Sequence, residues 1–154
     1  MKILLLGGYA FVGRALIDAA HARGHTVTAF NRGNHEAPPG VEQLTGDRGD
    51  PVFPAGRRWD AAIDTSGYAP HQVRAAAEGL RERIDRYVFT SSISVYPFPI
   101  QPGTDESAPT ASFTTGSDVE DARDMENYGA RKAACEALLA ALLPGRLLTI
   151  WPRG

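Results

Sequence analysis

A tyrosine and a lysine four residues apart, Tyr128 and Lys132, form the pattern in this chain that best fits acid–base chemistry. Residues at positions i and i+4 share one face of a helix, so the two side chains would lie side by side. An ammonium group beside a phenol favours the phenolate, which lowers the pKa of the phenol towards the range useful for proton transfer. Ser92 adds a hydroxyl that can bond the same substrate oxygen. Tyr and Lys at this spacing also occur by chance in many helices, so the pattern needs support from the rest of the chain.

A glycine-containing turn near the start of the chain has the spacing of a dinucleotide-binding site. It runs from Gly7 to Gly13, between an apolar run and a helical pattern. In such a turn the first glycine permits a tight bend, the last allows close packing of helix and strand, and helix N–H groups face the pyrophosphate. Ala10 holds the middle position, often a glycine, and Phe11 and Val12 complete the predicted cofactor-binding segment. The alternative is that the glycines serve only the strand-to-helix turn.

The residues that end the second predicted strand, Asn31 and Arg32, bear on the choice of cofactor. Enzymes that prefer NAD place a carboxylate against the ribose hydroxyls there, whereas a nearby arginine accommodates the extra phosphate of NADP. Arg32 can pair with that phosphate or stack on the adenine through its planar guanidinium. A solvated surface arginine is the alternative interpretation. The sequence therefore favours NADP, with NAD as the second choice.

Strand and helix patterns alternate along the chain and would position these residues. The first strand, helix and second strand are complete by Phe30, and a crossover this short accommodates one helix, so the sheet must be parallel there. Residues 93–120, rich in Pro, Ser, Thr and Asp, predict a long loop. The pattern predicts a single α/β domain with a doubly wound parallel sheet, a Rossmann fold, whose ligand site lies at the carboxyl ends of the strands. The predicted strands are 3–6, 26–30, 41–44, 61–64, 86–91 and 147–150, and the predicted helices begin near Phe11, Pro70 and Tyr128.

Composition and charge exclude several classes of protein. The chain has 154 residues, of which 43% are hydrophobic and 22% charged, as in soluble globular domains. Its 16 Lys and Arg against 18 Asp and Glu give a net charge of -2, which provides no global attraction to nucleic acid or to a membrane surface. Cys135 is the single cysteine and has no neighbours at metal-ligand spacing. We therefore expect a cytoplasmic protein with a small-molecule partner, no metal, no nucleic acid and no membrane span.

Five blocks of sequence in this order resemble the extended or atypical branch of the short-chain dehydrogenase/reductase family, which includes NAD-dependent epimerases and dehydratases. The resemblance implies that Tyr128 is the catalytic acid or base, and that Lys132 lowers its pKa while binding the nicotinamide ribose. It further implies that Ser92 orients the substrate. Hydride would pass between nicotinamide and a carbonyl or alcohol carbon of a small molecule. The matching blocks are 7–16, 46–48, 87–96, 105–109 and 128–132.

The same resemblance extends the expected cofactor site and also shows where the chain departs from the family. Asp47 matches the acid near the adenine amino group, with Arg48 beside it, and Thr65, Ser66 and Gly67 match the segment that lines the cofactor. The departures are the alanine in the middle of the glycine turn and a long loop before the tyrosine.

The extent of the chain sets the remaining expectations. Family members continue beyond the last strand into a substrate-binding region, so we expect residues 1–154 to be the NAD(P)-binding Rossmann domain without that lobe. Apolar surface that the lobe would cover then favours self-association. A truncated family member or an inactive NAD(P)-binding sensor is the alternative to an enzyme. RNA binding, known in one branch of the family, is disfavoured by the net charge.

Overall fold

The computed structural model describes residues 1–114 and 116–150, and these form one α/β domain around a single parallel sheet. Residues 151–154, at which the sequence ends, lie outside the described residues. The six strands are β1 (Lys2–Leu6), β2 (Thr26–Asn31), β3 (Val41–Thr45), β4 (Trp59–Asp64), β5 (Ile84–Thr90) and β6 (Leu147–Ile150). The helices are α1 (Val12–Ala22), α2 (Pro70–Leu80) and α3 (Tyr128–Leu142), with a short 3₁₀ helix at Ile93–Val95.

The strand order is β3-β2-β1-β4-β5-β6, and every neighbouring pair is parallel. The chain builds outwards from β1 in one direction and then from β4 in the other, so the topological switch point lies between β1 and β4. In open α/β sheets the ligand binds at the carboxyl ends of the strands beside this point. The predicted doubly wound Rossmann fold is confirmed.

The two faces of the sheet carry different cores because successive side chains of a strand point to opposite faces. On one face Ile3 and Leu5 of β1 pack with Ile17 of α1. On the other face Leu4 and Leu6 belong to a larger cluster with residues of α2, β5 and α3. Since β1 is covered on both faces, its sequence is a continuous apolar run without polar alternation.

Seven predicted boundaries, in β1 to β5 and α1, differ from the structure by one or two residues. β4 begins at Trp59, which pairs with Ile84 of β5, so both strands start earlier than their apolar runs indicate. α1 begins at Val12, because the backbone of Phe11 has a φ of 43° and lies outside the helix. The bounds of α2 and β6 are those that the sequence predicts.

Candidate functional site

A cleft of about 750 Å³ opens at the carboxyl ends of β1, β2 and β4, where the fold predicts the ligand site. It includes about half of the residues that the sequence assigns to the cofactor, and it adds aromatic walls from Tyr9, Phe30 and Tyr68, which sequence patterns did not identify. Tyr9 is held in place by a hydrogen bond from its hydroxyl to Gln43 Oε1 at 2.8 Å. The predicted residues that line the cleft are Gly7, Ala10, Asn31, Arg32, Asp47, Arg48 and Ser66.

The two outer glycines of the turn are required by close approach of the backbone. Gly7 has a φ of 143°, and a Cβ there would lie 2.3 Å from Thr65 Oγ1. A Cβ on Gly13 would lie 2.0 Å from the carbonyl oxygen of Gly8, so any side chain would force α1 away from the turn. These positions therefore keep β1, the turn and α1 in the arrangement that brings helix N–H groups to a bound phosphate.

The middle of the turn is open to solvent. Phe11, of the predicted cofactor-binding segment, is 94% exposed, and Val12 is 48% exposed. The φ of 43° at Phe11 is a left-handed value that few residues other than glycine adopt, and such strain tends to accumulate at ligand sites. Phe11 and Val12 thus lie at the turn but do not pack into the core.

Asn31 and Arg32 form the rim of the cleft at the end of β2. Asn31 Oδ1 accepts a hydrogen bond from the Gly33 N–H at 2.8 Å, which fixes the turn that presents Arg32. Arg32 is exposed, and within the described part of the chain it has no ion-pair partner. Its guanidinium is therefore available to a ligand in the cleft.

Beneath the cleft lies a buried ion pair that the sequence patterns did not identify. Arg48 Nη2 donates to Asp64 Oδ2 at 2.6 Å, and the Tyr87 hydroxyl donates to the same oxygen at 2.6 Å. The Ser66 N–H donates to Asp64 Oδ1 at 3.0 Å. Burial opposes the charge of Arg48, but the interactions with Asp64 and Tyr87 together outweigh it and raise the pKa of the guanidinium. Burial raises the pKa of Tyr87 well above its ordinary value, so the phenol stays protonated.

An aspartate directly after the apolar run 61–63 is the signal that would have pointed to this pair. Asp64 is completely buried at the end of β4, and a buried carboxylate needs a partner. Asp47, by contrast, is exposed and its Oδ1 accepts a hydrogen bond from the Gly49 N–H at 2.6 Å.

The segment after β4 supports the wall of the cleft, but most of its predicted cofactor-binding residues do not line the cleft. The hydroxyls of Thr65 and Ser66 both donate to the carbonyl of Leu6, at 3.3 Å and 3.2 Å, and so tie β4 to β1. Gly67 is buried, and a Cβ there would lie 2.6 Å from Val73 Cγ1. Of the three predicted residues in this segment, Ser66 alone lines the cleft.

The predicted catalytic residues come from the segment that follows β5 and from α3, next to the segment after β4. Lys132 is buried, and its Nζ donates to the carbonyls of Gly67 at 2.8 Å and Thr90 at 2.7 Å. Its ammonium lies 3.9 Å from the centre of the Phe89 ring. Burial lowers the pKa of Lys132 to about 8, although the Asp64 carboxylate opposes that change.

Tyr128 begins α3, and its phenol does not have the lowered pKa that the Tyr–Lys spacing predicted. Partial burial raises the pKa of Tyr128, while a hydrogen bond with the Ser92 side chain acts in the opposite direction. The physical reason is that the Lys132 ammonium is bound to two carbonyls while burial acts on the phenol. The structure nevertheless brings Ser92 and Tyr128 together, as the resemblance implied.

Gly129 explains how α3 reaches this position. A Cβ on Gly129 would lie 1.9 Å from the carbonyl oxygen of Ser94, so only glycine allows the first turn of α3 to pack against the 3₁₀ helix. Ser92 caps the 3₁₀ helix, because its side chain accepts a hydrogen bond from the Ser94 N–H at 3.1 Å. This contact places Ser92 and Tyr128 on adjoining elements. Spacing alone did not identify Gly129 as a packing residue.

A second cavity of about 700 Å³ adjoins the 3₁₀ helix on the side of β6. Ile93, Tyr96 and Ile150 contribute apolar surface, and Asp105 and Glu106 contribute carboxylates. Burial, above all, and these two carboxylates raise the pKa of Tyr96. The cavity is thus mainly apolar, with acidic groups on one wall.

Two further observations concern metals and membranes. In residues 1–114 and 116–150, no three His, Cys, Asp or Glu side chains are grouped as metal ligands would be. None of the described helices has the length and hydrophobicity that crossing a bilayer requires.

The doubly wound sheet, the glycine turn and the cleft at the switch point define a Rossmann domain of the dinucleotide-binding class. The sequence matches the NAD dependent epimerase/dehydratase family over residues 3–143. The chain belongs to this family, and the resemblance seen in the five sequence blocks is confirmed.

Two curated relatives cover short parts of the chain. A 2-alkyl-3-oxoalkanoate reductase of Stenotrophomonas maltophilia is 47% identical over 53 residues, which are 33% of this chain and 16% of the reductase. The chloroplast stem-loop binding protein of 41 kDa b of Arabidopsis thaliana is 30% identical over 114 residues, which are 62% of this chain and 30% of that protein.

Solved structures share the fold across nearly the whole chain. A UDP-galactose 4-epimerase matches 97% of this chain with a TM-score of 0.73 and 22% identity. The Bordetella bronchiseptica enzyme WbmG, solved in complex with NAD, matches 97% with a TM-score of 0.71 and 19% identity. The match covers 55% of the epimerase and 52% of WbmG, so this chain spans about half the length of these structures.

Proposed function

We propose that the chain binds NAD(P) in the cleft at the switch point and acts as an NAD(P)-dependent oxidoreductase or epimerase/dehydratase on a small carbonyl or alcohol compound. The observation that supports this proposal is that Ser92 and Tyr128 interact on adjoining elements, while Lys132, one helical turn further, binds the carbonyls of Gly67 and Thr90 next to the segment that walls the cleft. The family match over residues 3–143 supports it.

The residues of the cleft fit a dinucleotide. The close approaches at Gly7 and Gly13 hold the turn against Thr65 and the start of α1, so the N–H groups of the first turn of α1 would face a pyrophosphate. Asp47 and Arg48 would lie at the base, and the bound nicotinamide would supply or accept the hydride. The ammonium of Lys132, held between the carbonyls of Gly67 and Thr90, would bond the nicotinamide ribose.

Tyr128 would exchange a proton with the substrate oxygen in this reaction. A raised pKa keeps the phenol protonated, which suits a general acid that donates to a carbonyl oxygen during reduction. The hydroxyl of Ser92 would donate a second hydrogen bond to that oxygen and stabilise its developing negative charge. The mainly apolar cavity beside Ile93 would hold the rest of the substrate, and its two carboxylates disfavour an anionic substrate.

We propose that NADP is preferred over NAD. The support is Arg32, an exposed guanidinium without an ion-pair partner in the described part of the chain, next to Asn31 where NAD-preferring proteins carry a carboxylate. An exposed pair with a phosphate is worth about 1 kcal/mol, or roughly a fivefold change in Kd.

Titration with NADPH and NADH, followed by nicotinamide fluorescence, tests the proposal. We expect both to bind and NADPH to bind more tightly. Arg32→Ala should weaken NADPH binding about fivefold and leave NADH unchanged, whereas Arg58→Ala, an exposed arginine at the opposite ends of the strands, should change neither. If neither cofactor binds at millimolar concentration, the proposed function is wrong, because it requires cofactor binding.

A cofactor-binding protein without turnover is the second candidate function. The observation that favours it is the state of the acid–base pair, since burial raises the pKa of Tyr128 and the Lys132 ammonium is bound to backbone carbonyls. Reduction of carbonyl compounds that disappears in Tyr128→Phe would exclude this candidate. Cofactor binding unchanged in Tyr128→Phe, with no reduction across a broad panel of carbonyls, would favour it.

Nucleic acid is not part of the proposal, although one relative is named a stem-loop binding protein. The net charge of -2 gives this chain no general attraction to a phosphate backbone. A gel-shift titration with a stem-loop RNA at low salt should show no complex at micromolar protein, and a salt-dependent complex would overturn that expectation.

A further inference from the structure

Arg131 is a fully buried charged side chain that neither the acid–base pattern nor the cofactor pattern uses. It lies in α3 between Tyr128 and Lys132, and it is the largest of the fully buried side chains in the described residues. Its Nε donates to the Tyr68 carbonyl at 3.0 Å and its Nη2 to the Asp124 carbonyl at 2.6 Å. Its Nη1 is buried without a hydrogen-bond partner in the same residues.

No carboxylate within the described part of the chain forms an ion pair with the Arg131 guanidinium, and the two oxygens that it binds are neutral carbonyls. A buried charge without an ionic partner is costly, so a leucine or methionine would serve packing better at this position. The positive charge therefore needs an explanation other than stability.

The hydrogen bonds of Arg131 join three segments at the start of α3. Two consecutive residues of the helix bind two consecutive carbonyls of the segment after β4, since Lys132 binds Gly67 and Arg131 binds Tyr68. The second bond of Arg131, to Asp124, closes the turn that leads into Tyr128. The first turn of α3 is thus fixed against the wall of the cofactor cleft.

We propose that Arg131 is a positioning residue for Tyr128: its two hydrogen bonds fix the first turn of α3, and its buried charge, one helical turn from Tyr128, stabilises the phenolate. Residues at i and i+3 of a helix lie on the same face, about 6 Å apart. The inference rests on the acid–base role proposed for Tyr128. In this inference Arg131, and not Lys132, supplies the positive charge beside the phenol, because the Lys132 ammonium is already bound to two carbonyls.

The groups that face Tyr128 agree with this assignment. Burial is the main cause of the raised pKa of Tyr128, and the neighbouring Tyr68 and Cys135 side chains also raise it. The Ser92 and Arg131 side chains lower the pKa of Tyr128. Asp124, in the turn before α3, accepts a hydrogen bond from Arg131 through its backbone carbonyl, and a hydrogen bond from the Asn127 side chain, with a smaller contribution from the guanidinium, lowers the pKa of its carboxyl.

The ionisation of Tyr128 can be measured without a substrate or cofactor. Replacement of Tyr128 by 3,5-difluorotyrosine brings the phenol into a pH range that the folded chain tolerates, and ¹⁹F NMR then reports this site alone. Arg131→Gln and Arg131→Met remove the charge, Arg131→Lys restores it, and Arg123→Gln removes an exposed arginine from the preceding turn as the matched control. Amide spectra establish that each variant is folded.

We expect the acid dissociation constant of the phenol to fall by roughly threefold to tenfold in the two neutral variants, as for loss of a unit charge at about 6 Å and an effective dielectric constant of about 40 to 80. The Lys variant should retain most of the native value, and the Arg123 control all of it. An unchanged constant in a folded neutral variant, or an equal fall in the Lys variant, would overturn the proposal.

A measurement on the unsubstituted arginine covers the case in which the neutral variants do not fold. The Nε–H resonance of Arg131 should shift with the same midpoint as the fluorine signal, and Tyr128→Phe should abolish that shift. A resonance that does not respond to the phenol contradicts the proposal. Because these experiments use the chain alone, a failure to bind NAD(P) would count against the proposed function and leave the result for Arg131 unaffected.

Discussion

The turn that joins β1 to α1 yields a prediction in which close packing opposes helix propensity. Gly13 is the second residue of α1, where an alanine would ordinarily stabilise a helix by about 0.8–1 kcal/mol. A Cβ on Gly13, however, would lie 2.0 Å from the Gly8 carbonyl oxygen, so the helix and the turn would have to separate by about 1.4 Å to reach ordinary contact. Overpacking of this kind costs about 1–3 kcal/mol, and occasionally more.

Because the clash is with a backbone carbonyl, which has little freedom to move, we take the upper end of that range, about 3 kcal/mol, and expect Gly13→Ala to lose about 2 kcal/mol net in the free energy of unfolding. For a chain of this length that corresponds to a decrease in Tm of roughly 4–8 °C. Gly8→Ala is the matched control in the same turn, because a Cβ there meets no atom within 4 Å and the φ of Gly8 lies outside the left-handed region. We expect this control to be unchanged or slightly more stable, by at most about 1 kcal/mol.

Thermal unfolding followed by circular dichroism measures both variants, and a titration with NADPH adds the functional result. Displacement of the turn removes N–H groups from the phosphate, and each such bond to a charged group is worth about 1.5–3 kcal/mol, so Gly13→Ala should bind NADPH at least about tenfold more weakly. A Gly13→Ala chain as stable as the native one would refute the close-approach argument. Equal losses in the two variants would refute the distinction between them.

Three further predictions concern buried charged and titratable groups. Burial lowers the pKa of Lys132 from 10.5 to about 8, so between pH 8 and pH 10.5 the unfolded chain binds more protons than the folded chain. As the pH rises through this range, the free energy of unfolding of the native chain should increase by up to about 3 kcal/mol relative to that of Lys132→Met. Unfolding in urea at pH 7.5 and pH 10 measures this change, and a difference between the two proteins that does not depend on pH contradicts it. Burial raises the pKa of the Cys135 thiol to about 12, so the folded chain should resist iodoacetamide at pH 8 while the chain in denaturant is modified. Mass spectrometry measures the modification, and rapid modification of the folded chain contradicts the prediction. Asp64→Asn leaves the Arg48 guanidinium buried without its counter-ion and should lower the free energy of unfolding by about 3–5 kcal/mol. The control Asp85→Asn removes an exposed carboxylate and should change the free energy of unfolding by less than about 1 kcal/mol. Similar small changes in both variants would show that the buried pair contributes little to stability.

The ion pair beneath the cleft also links the cofactor site to the core. Asp64 contacts Arg48 from the loop after β3 and Tyr87 from β5, so one carboxylate connects three segments of the sheet. A large loss of stability in Asp64→Asn would therefore be accompanied by a loss of the cleft, and cofactor binding should be measured on the folded fraction.

Local patterns were sufficient for the elements that bury a continuous apolar surface. The run 3–6 predicts a strand covered on both faces, and the structure has β1 with α1 on one side and α2 and α3 on the other. The order of strands and helices, and the right-handed parallel crossovers that they require, follow from the same periodicity and determine where the ligand site lies. Gly13 could be identified because its role depends on Gly8, five residues away, whereas Gly7 was identified from the turn pattern although its close neighbour, Thr65, is distant in the sequence.

Contacts between distant segments were decided by the tertiary structure. Gly129 is a packing residue because a side chain there would meet the Ser94 carbonyl. Arg131 is buried where it binds the carbonyls of Tyr68 and Asp124. The periodicity of the sequence does not predict any of these contacts. The same holds for the pKa of Tyr128. The i, i+4 spacing correctly placed Lys132 one turn away, but burial of the phenol and the carbonyls that hold the ammonium reversed the expected direction. Sequence determined which groups are available at the site, and burial, a property of the whole fold, determined their protonation.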